Sequence, residues 1–183
     1  MKKVRLFLVT LSLFLCEKFL FAQTYLPVNN ASSVKVTIKN TGMEVDGKLS
    51  GLEGEIQFNP LDLKKISFSV SVDANTINTG IDVRDENLRG VDYLDTKKFP
   101  RISFVSKQVT AGGKANSYLV RGTITIKGIS KDINMPFTVV SKNDGLVFNG
   151  EFRVNRLDFK IGVGSIVLSD GITVSLLVFA KKN

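Results

Sequence analysis

"KISFSVSVD", residues 65–73, sets an apolar side chain at every second position: Ile66, Phe68, Val70 and Val72, with Ser67, Ser69 and Ser71 between them. Successive side chains of an extended chain point to opposite faces, so this spacing predicts a half-buried strand with one greasy and one hydroxyl face. The same period recurs. "INMPFTVV" alternates Ile133, Met135, Phe137 and Val139; "LVFNGEFRV" alternates Leu146, Phe148, Phe152 and Val154; "GITVSLLVFA" alternates Ile172, Val174, Leu176 and Val178. Further strands are expected at "SVKVTIK" from Ser33, "LEGEIQF" from Leu52, "RISFVSKQV" from Arg101 and "SYLVRGTITIKG" from Ser117.

Turn chemistry separates these runs at Asn59-Pro60, Gly112-Gly113, Gly128, Asn143-Asp144-Gly145 and Ser169-Asp170-Gly171. Short connections between alternating strands predict an all-β domain of eight antiparallel strands rather than a parallel sheet with crossover helices. Such a set forms either a sandwich or a closed barrel. A barrel of eight strands has an interior that side chains can fill or that can hold one small ligand. Periodicity alone does not choose between these, because a filled core and a hollow one give the same alternation.

The N-terminus is of another kind. "MKKVRLFLVTLSLFLCEKFLFAQ" has a basic start, an apolar run from Leu6 to Cys16 and a small residue at Ala22. This is the layout of a cleaved secretory signal, and Glu17 and Lys18 cut the run too short to span a bilayer. Residues 1–22 are therefore expected to be removed by a cut near Ala22, leaving residues 23–183 as one domain in a periplasmic or secreted protein. Cys16 offers a second processing route, as a lipidated N-terminus. It is also the only cysteine, so the mature domain has no disulfide to rely on and must be held by its core.

Residues 1–22 carry four basic residues and one acidic, so their loss lowers the net charge from +8 to +5. An excess of that sign favours solubility and could support transient contact with an anionic membrane surface. The basic residues are scattered, without an aromatic platform for stacking bases, and nucleic acid is not an expected partner. There is no histidine. With no mature cysteine either, thiolate nucleophiles, imidazole bases and the usual zinc and haem ligands are missing, and an enzyme is not expected.

One long stretch breaks the alternation: "DVRDENLRGVDYLDTKKFP", residues 82–100. Asp82 is suited to cap a short helix and Asp85 to its first turn. Asp85 and Arg89 stand four apart, and Gly90 suits a left-handed helix end. Leu88, Val91, Tyr93 and Leu94 would then turn inward. Asp82, Asp85, Glu86, Asp92 and Asp95 lack the spacing of a calcium loop, so no metal is expected.

This stretch and its neighbours resemble the YceI family of bacterial lipid- or polyisoprenoid-binding proteins. The matching pieces run in order: "SVDANTINTG" into Arg84-Asp85, then Leu88, "DYLD" at 92–95 and "KKFPRISF" at 97–104. Downstream come "GTITIKGISKDI", with Gly128 and Ser130, and "VNRLDFKIG", with Asn155, Arg156, Asp158 and Phe159. The chain departs from the family pattern at Asn87, where a histidine is common, and at Lys160, where a glycine is common. The resemblance implies an eight-stranded antiparallel lipocalin-like barrel with a short helix in the 82–95 connection. It also implies export to the periplasm, an apolar pocket for an isoprenoid tail, no enzyme activity and no cofactor.

On that reading the ligand is a polyisoprenoid, a quinone or another amphiphilic lipid, and the protein carries or stores it. Its expected contacts along the strands are Ile66, Phe68, Val70, Phe104, Val120, Ile124, Phe137, Val139, Phe148, Phe152, Val174 and Leu176. Tyr93 and Phe99 are placed at the mouth, with Arg84 or Asn87 near a polar head. A tail longer than the barrel could be covered by a second copy, as a homodimer. The rival is an envelope stress-response or interaction protein with a solid barrel and no lipid.

Overall fold

The computed structural model describes residues 23–183. The signal peptide, its cut near Ala22 and Cys16 lie outside the described residues.

The strands are β1 (Gln23–Pro27), β2 (Ser33–Asn40), β3 (Met43–Phe58), β4 (Ser67–Asn78), β5 (Arg101–Ala111), β6 (Ser117–Ile126), β7 (Ile129–Lys142), β8 (Gly145–Asn155) and β9 (Leu168–Lys182). From β2 to β9 each strand pairs antiparallel with the next, and β9 pairs back with β2, closing the sheet. β1 and β2 are two halves of one stave. Tyr25 faces Ile56 and Val34 faces Leu49 on the same neighbour, β3, with a 3-10 turn at Asn29–Ala31 between them. The result is an eight-staved up-and-down barrel, and closure leaves it no free edge.

The strand expected at Leu52 begins nine residues earlier, at Met43. Its first half escapes the alternation rule because Gly47 stands at an inward position where an apolar side chain would be sought. A Cβ there would lie 3.0 Å from Val36 and 3.1 Å from Ile77, so one would fit only if those side chains gave way. Gly54 has φ +116°, and a Cβ on it would meet the Ser69 carbonyl at 2.1 Å. Irregular pairing of β3 with β4 follows through this stretch, between Lys48 and Glu53.

Strand direction gives the barrel two unlike ends. One carries the hairpin at Thr41–Gly42, the long 79–100 connection, the Lys127–Gly128 turn and the 156–167 connection. The other carries the 59–66, 112–116 and 143–144 connections. Helix α1 (Asp82–Arg89) sits at the first end. There β4 outruns β5, whose pairing covers only Ser69–Asp73, and Arg89 donates to the carbonyls of Asn75 and Ile77 at 2.8 and 3.0 Å.

The helix differs in detail from its sequence reading. Ile81, not Asp82, is the N-cap, and no side chain caps it. Asp85 does not pair with Arg89; it is 3% exposed and accepts hydrogen bonds from the Thr79 amide and hydroxyl. Gly90 has φ −68°, an ordinary value, and the left-handed residues of this connection are Gly80 and Asp95. Val91 is exposed rather than inward.

Candidate functional site

Five aromatic rings seal the end opposite the helix. Phe58 meets Tyr118 and Phe148 edge to face at 5.5 Å, Phe68 meets Phe137 at 5.4 Å and Phe148 at 5.8 Å, and Tyr118 stacks on Phe137 at 5.3 Å. Edge-to-face contacts place the positive rim of one ring on the negative face of the next, a rigid way to fill a barrel's width. Phe68, Phe137 and Phe148 turn their other sides upward, and above them the barrel is hollow.

The cavity measures about 590 Å³. Its wall is hydrocarbon from every stave: Val34, Val36 and Ile38 from β2, Leu49 from β3, Val70 and Val72 from β4, Phe104 from β5, Ile124 from β6, Ile133 and Met135 from β7, Phe152 from β8, Val174 and Leu176 from β9. Most are short β-branched residues that stay near the wall. At the helix end it is bounded by Leu88 of α1 and by Tyr93, Leu94 and Ile161 from the two long connections. These connections are tied together by the Gly162 amide, which donates to the Asp92 carbonyl at 2.8 Å.

Ten of the fourteen residues expected on the wall stand there: Phe68, Val70, Tyr93, Phe104, Ile124, Phe137, Phe148, Phe152, Val174 and Leu176. Four do not. Ile66 and Val120 are buried in the core, at 5% and 0% exposure, but do not line the cavity. Val139 lies two residues beyond Phe137 towards the sealed end. Phe99 covers Gly128 on the Lys127–Gly128 turn, its ring so close that a Cβ there would lie 2.6 Å away. β2, the first half of β3 and Val83 of α1 supply wall residues that the sequence reading left out, though "SVKVTIK" carried the same alternation.

Arg156, Arg84 and Asn87 stand among the polar residues of the wall at the helix end, with Asn40, Asp46 and Thr79. Arg156 is 1% exposed, and each guanidinium nitrogen has an acceptor: the Ser169 carbonyl at 3.0 Å, the Ile161 carbonyl at 2.9 Å and Asp170 Oδ1 at 3.0 Å. Its local frame explains the "NRLDF" signature. Asn155 Oδ1 accepts from the Leu157 amide, Phe159 is buried at 1%, and Lys160 takes φ +53°, the conformation for which a glycine is common there. Arg84 is fixed differently. Its Nε donates to Thr79 Oγ1 at 2.7 Å and its Nη2 to the Thr79 carbonyl at 2.9 Å, while Thr79 is held in turn by Asp85. The hydrogen bonds from Thr79 keep the Asp85 carboxyl below its ordinary pKa, and so charged. Among the described residues nothing accepts from Arg84 Nη1, and the Asn87 side chain has no partner.

A closed antiparallel barrel, floored by aromatic rings and hollow above them, is a lipocalin-like barrel. Within that class the chain belongs to the YceI-like domain family, whose model matches residues 25–180. A UPF0312 protein of Shewanella denitrificans is 23% identical over 142 residues, 73% of this chain and 74% of that protein. Among solved structures, Burkholderia cenocepacia BcnA is 24% identical with a TM-score of 0.77, covering 82% of this chain and 96% of that one. A polyisoprenoid binding domain from Saccharophagus degradans, implicated in plant cell wall breakdown, is 17% identical with a TM-score of 0.71, covering 88% and 99%. At these identities the two structures speak for the fold.

Proposed function

We propose that the mature chain, residues 23–183, is an exported carrier or store for a polyisoprenoid or similar long-chain lipid held inside the barrel. The observation that carries this is the cavity of about 590 Å³ with its hydrocarbon wall. Burial of each methylene contributes about 0.8 kcal/mol, so a chain threaded along the wall binds without any polar anchor. The reading is that of a binding protein and not of an enzyme, in keeping with the family and with the polyisoprenoid-binding description of the Saccharophagus domain. Arg84 Nη1 and Asn87 are the groups to which an oxygen-bearing head, such as a prenol hydroxyl or a quinone carbonyl, would turn. The cavity favours this reading over an interaction protein with a solid barrel and no lipid.

Native mass spectrometry of gently purified protein, followed by organic extraction, tests the proposal. A stoichiometric lipid adduct, or uptake of added geranylgeraniol into lipid-free protein, is the expected result. A clean protein mass with no uptake refutes it. The N-terminal sequence of protein from the cell envelope tests export, with Gln23 as the expected first residue.

A further inference from the structure

Thirteen large apolar side chains of the described residues are exposed, and seven of them stand at the helix end: Met43, Ile81, Val83, Val91, Val163, Ile166 and Val167. They come from separate pieces of chain, namely the start of β3 beside its hairpin turn, the 79–100 connection and the 156–167 connection. The hairpin and the last connection are joined where the Thr41 amide donates to the Val167 carbonyl at 2.8 Å. Val163 is 81% exposed and Ile166 fully so, in the loop segment "IGVGSIV", residues 161–167. Loops run over the surface and are ordinarily polar. This one alternates apolar residues with glycine and serine and carries no charge.

The patch is continuous with the cavity. Ile81 and Val83 belong to the cavity wall and are also 52% and 69% exposed, so the hydrocarbon lining runs out over the lip. The other end of the barrel, sealed by rings, shows one comparably exposed apolar residue in its connections, Leu61. Charge does not single out a partner either. Segments 39–46, 79–100, 126–131 and 155–168, which make up the open end, carry nine basic and eight acidic residues. A strongly charged protein or polymer surface therefore finds nothing complementary here, whereas an apolar fluid does.

We propose that the open end docks on a lipid bilayer by inserting these apolar side chains, so that the cavity exchanges its lipid directly with the hydrocarbon. This rests on the carrier reading above and adds its route of loading. The physical need is plain: a methylene crossing water costs about a fourfold factor in the equilibrium, and a five-carbon isoprene unit roughly a thousandfold. A carrier that released a prenyl chain into water would release it very slowly. A lip that enters the bilayer removes the aqueous step. Attachment by insertion, unlike attachment by the chain's basic excess, is insensitive to salt and needs no anionic lipid.

The test loads the mature protein with pyrene-tagged farnesol and mixes it with phosphatidylcholine vesicles containing a quencher. Transfer is expected to accelerate in proportion to vesicle concentration and to change less than twofold between 0.1 and 1 M NaCl. The double variant Val163→Asp/Ile166→Asp changes two residues that are not on the cavity wall, so it should bind the probe as tightly as wild type in the absence of vesicles. Its transfer rate should fall at least tenfold. Val140→Asp, on the exposed outer wall of β7, should transfer normally. A rate independent of vesicle concentration, or an undiminished rate in the double variant, overturns the proposal. So does a strict requirement for anionic lipid, or a concentration-dependent dimer that the double variant abolishes. Failure to take up the probe at all would instead count against the carrier reading.

Discussion

Replacing Val174 by phenylalanine should shorten the lipid the barrel prefers by one isoprene unit. Val174 stands on the wall opposite neither helix nor floor, between Val36 of β2 and Phe152 of β8. At roughly 30 Å³ per methylene-sized group, the liquid-water share taken as a yardstick, about 590 Å³ holds about 20 such groups, or four five-carbon units. Each unit adds about 4 kcal/mol of gross transfer free energy, discounted by the cost of ordering the chain, so affinity should rise at least tenfold per unit. Beyond four units the chain emerges into solvent and the gain stops. Phenylalanine has four more carbons than valine, close to one unit, and should move the break from four to three. Competition by prenols of two to six units, read by native mass spectrometry, would locate it. The variant's Tm should not fall, because the ring enters space the wild-type side chains leave. An affinity that climbs through six units without a break, or a break unmoved in a folded variant, would refute the reasoning.

Phe148→Ala takes the ring that joins Phe58, Phe68 and Phe137 out of the floor. It should cost about 3–5 kcal/mol in urea unfolding and, in the surviving fold, shift the preferred chain to a longer one. Arg156→Met strips the donor from the carbonyls of Ser169 and Ile161. At ~1–3 kcal/mol for each group left unpaired, it should be among the more damaging single substitutions outside the apolar core. Asp132 is held at a pKa of about 2, first by its hydrogen bond from Lys107 and then by that from Thr123. A lowered folded-state pKa means the charged form stabilises the fold above the unfolded value near ~3.9, an advantage lost as pH falls through the folded value. Asp132→Asn should therefore be less stable than wild type at pH 6, with the gap closing as pH falls from 4 towards 2; a gap still full at pH 2 would contradict this.

Much of this was legible in the sequence because alternation is a direct imprint of burial on one face. It gave the staves from "KISFSVSVD" and its repeats, and it put ten of fourteen expected residues on the wall. What alternation cannot give is height along the barrel axis. Ile66, Val120 and Val139 are buried as expected, yet none of them lines the cavity. Phe99 does stand at the open end, but its ring covers Gly128, which lies 29 positions away in the chain, instead of lining the cavity. Asp85 and Arg89 had helical spacing for each other, but Thr79 and the free carbonyls of β4 are nearer and better partners. Arg156 could not be found from pattern at all: a buried guanidinium reads as a surface arginine until the carbonyls that surround it are known.

Why the barrel is hollow rather than filled follows from side-chain length. Eight strands leave an interior that large residues can just close, and at the floor five aromatic rings do so. Above it the inward positions hold Val34, Val36, Val70, Val72, Val174 and Ile124, too short to meet across the axis, and Gly47 and Gly150 offer no side chain. Kept dry, such a void would be costly. Atoms lining an empty space of about 590 Å³ have no partners on one side and forfeit those dispersion contacts. Water can relieve part of this only where it finds polar partners, and those are few: Arg84, Asn87 and Arg156 with Asn40, Asp46 and Thr79, and Thr37, Ser71 and Ser103 on the strands. The rest of the wall is apolar. A chain with this distribution of short and long apolar residues is therefore stabilised most by a hydrocarbon occupant, and lipid extraction should lower its Tm more than any change of buffer.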